Sequence, residues 1–168
     1  MKDFTILLVD DEENILKALA RTLRTQGYRV LTARSAKEGL LKLEDDDYEV
    51  DLVISDHMMP AMTGIDFLKR VRVEHPHVLT IMLTGHSEVG TAIKAINEVG
   101  IYKFILKPWN NDDLLQTVKR GLELKDLVME RDSLLQKMKA KDIMLKELER
   151  KHPGITKVKR DDDENVFI

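Results

Sequence analysis

The chain has 168 residues, 43% hydrophobic and 34% charged, with a formal net charge of −3 and no cysteine. That length suits one domain with residues to spare and a core burying roughly two-thirds of the unfolded surface. The charge excludes a strongly basic nucleic-acid footprint, and the missing cysteines exclude disulfides, thiolate catalysis and Cys-ligated zinc. No run approaches a signal peptide or the roughly 18 apolar residues of a membrane span, so a cytoplasmic protein is expected, engaging neither nucleic acid nor membrane.

Short apolar runs alternate with amphipathic ones. Phe4 to Val9 is an apolar run ending in acids, as in a strand buried on both faces. Ile15, Leu16, Leu19 and Leu23 recur at helical spacing, and Gly27 stops that helix. Tyr28 to Ala33 reads as a second strand. Ser35 and Glu38 form a capping-box pattern that opens a second helix through Leu40, Leu41 and Leu43. Val50 to Ser55 is the third strand, closing on Asp56, and Pro60 and Gly64 bracket a loop. Ile65, Phe67, Leu68 and Val71 make a third helix, Val78 to Leu83 a fourth strand, and Val89, Ala92, Ile93 and Ile96 a fourth helix ended by Gly100. Ile101 to Leu106 is the fifth strand. Strands alternating with helices mean an α/β fold with a parallel sheet covered on both faces. The common arrangement for five such units is the flavodoxin-like order 2-1-3-4-5, which sets the ends of strands 1 and 3 side by side.

The pattern changes after Asn111. Asp112 and Asp113 suit a helix N-terminus, and Leu114, Leu115, Val118 and Leu122 can cover the sheet. From Glu123 to Lys151, 15 of 29 residues are charged, yet a heptad seam runs through Leu124, Leu127, Leu134, Met138, Leu145 and Leu148, interrupted at Arg131 and Lys141. The helix is expected to continue for about 40 residues, roughly 60 Å, until His152-Pro153-Gly154. A charged helix of this kind is marginal alone and stable when paired, so a parallel coiled-coil homodimer is expected. The alternatives are a single solvated helix, pairing with a different protein, or a connector cut from a longer chain. The expected organisation is a domain over 1–122, an extended helix over 123–152 and a short tail over 153–168, either disordered or a β-ribbon.

Four polar features fall at strand ends: Asp10 and Asp11 after strand 1, Asp56 after strand 3, Thr84 after strand 4 and Lys107 after strand 5. In a parallel sheet these ends share one edge, so residues 97 positions apart converge on one crevice. Crowded carboxylates repel unless a cation sits among them, and hard oxygens suit Mg²⁺, with Mn²⁺ as the substitute. Carboxylates, a divalent cation, an ammonium and a hydroxyl make a place for a phosphoryl group, with Asp56 as the nucleophile. Taken singly, each residue has a plainer reading. Asp10 or Asp11 could cap the first helix, with Glu13 completing a box from Asp10; Thr84 could start a turn; Lys107 could be solvated. The histidines at 57, 75, 77 and 152 lack ligand spacing and read as solvated surface residues, and Trp109 as a half-buried aromatic at the start of the last helix.

The chain resembles the receiver domain of two-component response regulators over about residues 3–122. The resemblance is carried by Leu7-Leu8-Val9-Asp10-Asp11, Val53-Ile54-Ser55-Asp56-His57-Met58-Met59-Pro60 with Gly64, Leu83-Thr84-Gly85 and Phe104-Ile105-Leu106-Lys107-Pro108. It implies that Asp56 accepts a phosphoryl group from a histidine kinase or phosphotransfer protein. It implies that Asp11, Asp56 and the carbonyl of Met58 ligate Mg²⁺, with Asp10 assisting through water, and that Lys107-Pro108 is cis. It also implies a switch in which Thr84 moves inward and Phe104 fills the vacated space. Phe104 stands where the family often has Tyr, so packing alone would hold it. Met58, two after Asp56, and His86, two after Thr84, occupy positions that often tune phosphoryl hydrolysis. The expected output is contact with a downstream protein, and no external metabolite is turned over. The alternatives are a receiver fragment of a longer regulator, a phosphate-independent scaffold, and a haloacid-dehalogenase-like phosphatase. In the phosphatase the nucleophile follows the first strand in D-x-D-x-[TV] and the acidic pair comes late, the reverse of the order here.

Overall fold

The computed structural model describes residues 2–155. Thr5–Val9 (β1), Arg29–Ala33 (β2), Leu52–Asp56 (β3), Leu79–Thr84 (β4) and Lys103–Leu106 (β5) are all parallel and lie in the order β2-β1-β3-β4-β5. Between them run Glu13–Arg24 (α1), Ala36–Glu44 (α2), Gly64–Glu74 (α3) and Val89–Val99 (α4), the last preceded by a 3₁₀ turn, His86–Glu88. Asn111–Lys151 forms the final helix, α5. The expected fold class and strand order are those observed.

The central strands β1 and β3 are buried along their whole length, which explains why they read as apolar runs without alternation. Alternate side chains feed two cores. Leu7, Val9, Val53 and Met82 point to one face and pack with Leu40, Phe67, Leu68 and Ala92 of α2, α3 and α4. Ile6, Leu8, Leu52, Ile54, Ile81 and Leu83 point to the other, where α1 and α5 supply Leu16, Leu19, Leu23, Leu114, Val118 and Leu122. At Gly121 a Cβ would stand 2.5 Å from Leu79 Cδ2 and 2.9 Å from Tyr102, so glycine lets α5 lie close against the sheet.

Local signals behave largely as read. Ser35 Oγ accepts from the Glu38 N–H at 3.1 Å, while Glu38 accepts from Arg34 N–H at 2.9 Å, one residue earlier than a capping box requires. Asn110 Oδ1 accepts from the N–H groups of both Asp112 and Asp113 and opens α5. Trp109 is half-buried against the α1/α5 core and donates its indole N–H to Asn111.

One buried feature has no counterpart in the sequence reading. The Lys125 ammonium contacts Asp51 Oδ1 at 2.6 Å, with both side chains almost fully enclosed. Asp51 Oδ2 accepts the Thr5 N–H at 2.9 Å, so this carboxylate ties α5 to the N-terminal edges of β1 and β3.

The chain divides into two compact units between Asp126 and Leu127. In the second, α5 continues to Lys151, with Asp142–Lys146 and Glu147–Lys151 ion pairs along its surface. Leu127, Leu134, Met138, Leu145 and Leu148 are all exposed there, as are Leu135, Ile143 and Met144. Leu124, in the first unit, is exposed as well. Residues 156–168 of the expected tail lie outside the described residues. Among the described residues, no helix is long and apolar enough to cross a membrane.

Removing one member of a buried pair strands the other charge. Asp51 would keep only the half-exposed Lys2 ammonium, 3.7 Å from the same Oδ1, so Lys125→Met should lower stability to urea by about 3 kcal/mol, and adding Asp51→Asn should recover most of that loss. An unchanged midpoint in the single variant would show that the pair is dispensable.

Candidate phosphoryl-transfer site

The parallel register carries Asp10, Asp56, Thr84 and Lys107 to the same rim. Val9 pairs with Ser55, Asp56 with Leu83, and Thr84 with Leu106, so each functional residue sits at or just beyond its strand end. Asp10, Asp56 and Thr84 are buried, Asp11 is half-buried, and one carboxylate oxygen from each of Asp10, Asp11 and Asp56 lies within 4.8 Å of the others.

Lys107 reaches into this cluster. Its ammonium is 2.8 Å from Asp56 Oδ1 and 3.4 Å from Asp10 Oδ2, which overturns the solvated reading. The Lys107 N–H donates to the Thr84 carbonyl at 2.8 Å, and the Lys107-Pro108 bond is cis, as the resemblance implies. Burial alone would lower the lysine, but its contacts with Asp56 and Asp10 outweigh that and hold it above its ordinary value.

Asp10 is raised above the ordinary carboxylate value, chiefly by burial and further by neighbouring Asp56. Its hydrogen bond from the Glu12 N–H, at 2.9 Å, and the Lys107 charge oppose the rise without cancelling it. Asp10 does not cap α1 with Glu13: the capping position is Glu12, whose side chain makes no capping bond. Three carboxylates against one ammonium leave two formal negative charges. A hard divalent cation with oxygen ligands fits that donor set.

The loop after β3 shapes the rim. The Gly64 N–H donates to the His57 carbonyl at 2.8 Å, and a Cβ on Gly64 would fall 2.1 Å from the Asp56 carbonyl oxygen. Only glycine permits this approach of α3 to the strand end. Ala61 in the same loop adopts a left-handed φ of 68°. His57 corrects the solvated reading: it is buried, because its N–H donates to Leu83 and its carbonyl accepts from Gly64, pinning it to the sheet edge. His75 is half-buried, whereas His77 and His152 are exposed.

Met58 is 61% exposed on the same loop, and His86 is exposed on the 3₁₀ turn. Phe104 is half-buried and packs against the α2/α3/α4 core. It also lines a groove of about 390 Å³ with Trp109 and Asp113. Glu88 escaped the sequence reading. It accepts from the Thr84 hydroxyl at 3.1 Å and from the Gly85 N–H at 3.2 Å. Its one signal was a position four residues after Thr84, where a tight turn brings an acid back.

The response regulator receiver domain profile matches residues 6–119. The chain belongs to that family. The receiver is 40% identical over 126 residues to the hydrogenase transcriptional regulatory protein HoxA of Cupriavidus necator, covering 75% of this chain and 26% of that protein. It is 37% identical over 130 residues to the C4-dicarboxylate transport transcriptional regulatory protein DctD of Rhizobium meliloti, covering 77% and 28%. A crystal structure of a response regulator receiver domain protein from Clostridium thermocellum superposes with a TM-score of 0.70 at 34% identity, covering 74% of this chain and 98% of that one. The chain spans about a quarter to a third of the length of these transcriptional regulatory relatives. Family membership, with the acidic pair first and Asp56 third, sets aside the phosphatase alternative.

The raised Asp10 gives a signed pH prediction. A carboxyl whose folded value lies above its unfolded one stabilises fully below the ordinary 3.8 and loses that contribution as pH rises through the folded value. At neutral pH and without divalent cation, ionised Asp10 is therefore a burden on the receiver. Asp10→Asn should raise the urea midpoint at pH 7 in chelator, with the gain shrinking as pH falls toward 3.8. A lower midpoint at pH 7 would contradict the assignment.

Proposed function

We propose that this receiver is phosphorylated on Asp56 and works in a cytoplasmic two-component relay. The observation that carries the reading is the Lys107 ammonium 2.8 Å from Asp56, beside two further buried or half-buried carboxylates. The donor is a histidine kinase or a phosphotransfer protein. A carboxylate oxygen of Asp56 attacks phosphorus in line, an O–P bond forms, and the bond from phosphorus to the donor's nitrogen breaks. Asp10, Asp11, Asp56 and the Met58 carbonyl would hold Mg²⁺, or Mn²⁺. When bound, the ion neutralises charge on the phosphoryl oxygens. Lys107 supplies a positive charge to the same oxygens from a side chain that the Thr84 carbonyl holds through its backbone. The chain catalyses only its own phosphorylation and dephosphorylation.

Phosphorylation is read out through Thr84 and Phe104. The Thr84 hydroxyl turns to a phosphoryl oxygen, and Phe104 moves into the space released, altering the surface formed by α4, β5 and α5. Two states with different contacts to the phosphoryl group suffice for such a switch. Met58, apolar beside the nucleophile, excludes the attacking water, and His86 tunes its access from the other side. The partition is a receiver over 1–122, a helical extension over 123–152 and a tail. The extension pairs in a parallel homodimer through Leu124, Leu127, Leu134, Met138, Leu145 and Leu148, apolar side chains that are all exposed in one chain. A parallel register sets Lys137 of one chain against Asp142 of the other, which favours this pairing.

Acetyl phosphate with Mg²⁺ should add one phosphoryl group by intact mass. Asp56→Asn or chelator should abolish the addition, and Met58→Asn should shorten its lifetime about fivefold, equivalent to ~1 kcal/mol of barrier. Labelling that survives Asp56→Asn would move the acceptor elsewhere. For the extension, light scattering at tens of micromolar should return twice the 19.4 kDa chain mass, and Leu134→Asp with Met138→Asp should return the monomer. A wild-type monomer would sink the pairing.

A further inference from the structure

The hydrogen bonds of Thr84 point to a restraint acting against the switch. The hydroxyl has one proton, and it is directed at Glu88 Oε2 at 3.1 Å, with only a longer contact to the Gly85 carbonyl at 3.5 Å. Thr84 is fully buried, whereas Glu88 is half-buried. The same Oε2 accepts the Gly85 N–H at 3.2 Å, which fixes the carboxylate over the 3₁₀ turn. Glu88 also stands at the capping position of α4 without a side-chain bond to that helix, so its carboxylate is committed backwards, to the end of β4.

We propose that Glu88 is a latch: a positioning residue that holds the Thr84 hydroxyl away from the phosphoryl position and sets the threshold for switching. The proposal rests on the reading of Asp56 as phosphoacceptor. A hydroxyl cannot donate its single proton to Glu88 and to a phosphoryl oxygen together. Each occupancy of the site therefore breaks a hydroxyl-to-carboxylate bond, and such bonds are among the stronger ones a protein makes. Because the bond exists in one state and not the other, it shifts the equilibrium by its own differential strength. The reverse also holds: occupancy of Asp56 leaves Glu88, at the start of α4, with the Gly85 N–H and without the Thr84 hydroxyl, so the news of phosphorylation reaches that helix through a carboxylate.

Calorimetric titration of the full chain with beryllium fluoride in Mg²⁺ tests the latch. Glu88→Ala should bind about three- to tenfold tighter than wild type, and Glu88→Gln, which keeps an uncharged acceptor, should fall between. Glu88→Gln also keeps the test readable if the alanine variant does not fold. A latch acts through the threonine hydroxyl, whereas simple relief of repulsion between Glu88 and the anion does not. In a Thr84→Val background, Glu88→Ala should therefore leave affinity within about twofold. Equal affinity of wild type and Glu88→Ala, or a gain that persists in the Thr84→Val background, would overturn the proposal. If wild type and Asp56→Asn bind alike, or neither binds, it is the phosphoacceptor reading that falls.

Discussion

Like charges held at one rim of a parallel sheet govern this molecule. Asp10, Asp11 and Asp56 are brought within 4.8 Å by strands whose ends the topology forces together, and Lys107 compensates for one of the three. Burial raises Asp10, and the carboxylates in turn raise Lys107. The rest of the fold sustains this arrangement at a cost in stability. The fully buried β1 and β3 fix the two acidic loops, Gly64 lets α3 begin against the backbone of Asp56, and the Thr84 carbonyl anchors the lysine. A site under such tension responds strongly to an incoming cation or anion, because either one changes a large local imbalance.

Much of the architecture was legible in the residues because its determinants are local. Continuous apolar runs mark β1 and β3, and Ser35 marks the start of α2 through its own hydroxyl. The rim was legible for a different reason. Once the strand order is known, parallel topology alone places the residues that follow each strand together. Lys125 and Asp51 were not legible, since a lysine in a helix with so many charges looks solvated until the sheet edge is seen over it. Glu88 and His57 failed similarly. Their environments are set by backbone turns, and no periodicity records the direction of a side chain in a turn.

The two units obey different physics. The first buries its apolar residues within itself, on both faces of the sheet. The second carries leucines, methionines and an isoleucine in the open along one helix. The receiver is shared with the curated relatives of this chain, which extend well beyond its span.

The salt link between Lys125 and Asp51 also dictates where this receiver can be cut. The apolar residues of α5 that cover the sheet end at Leu122, which invites truncation there. A chain shortened to that point would leave Asp51 enclosed with its nearest ammonium deleted. Any autonomous fragment, fusion junction or domain graft made from this protein must therefore carry α5 at least one turn past its last core leucine.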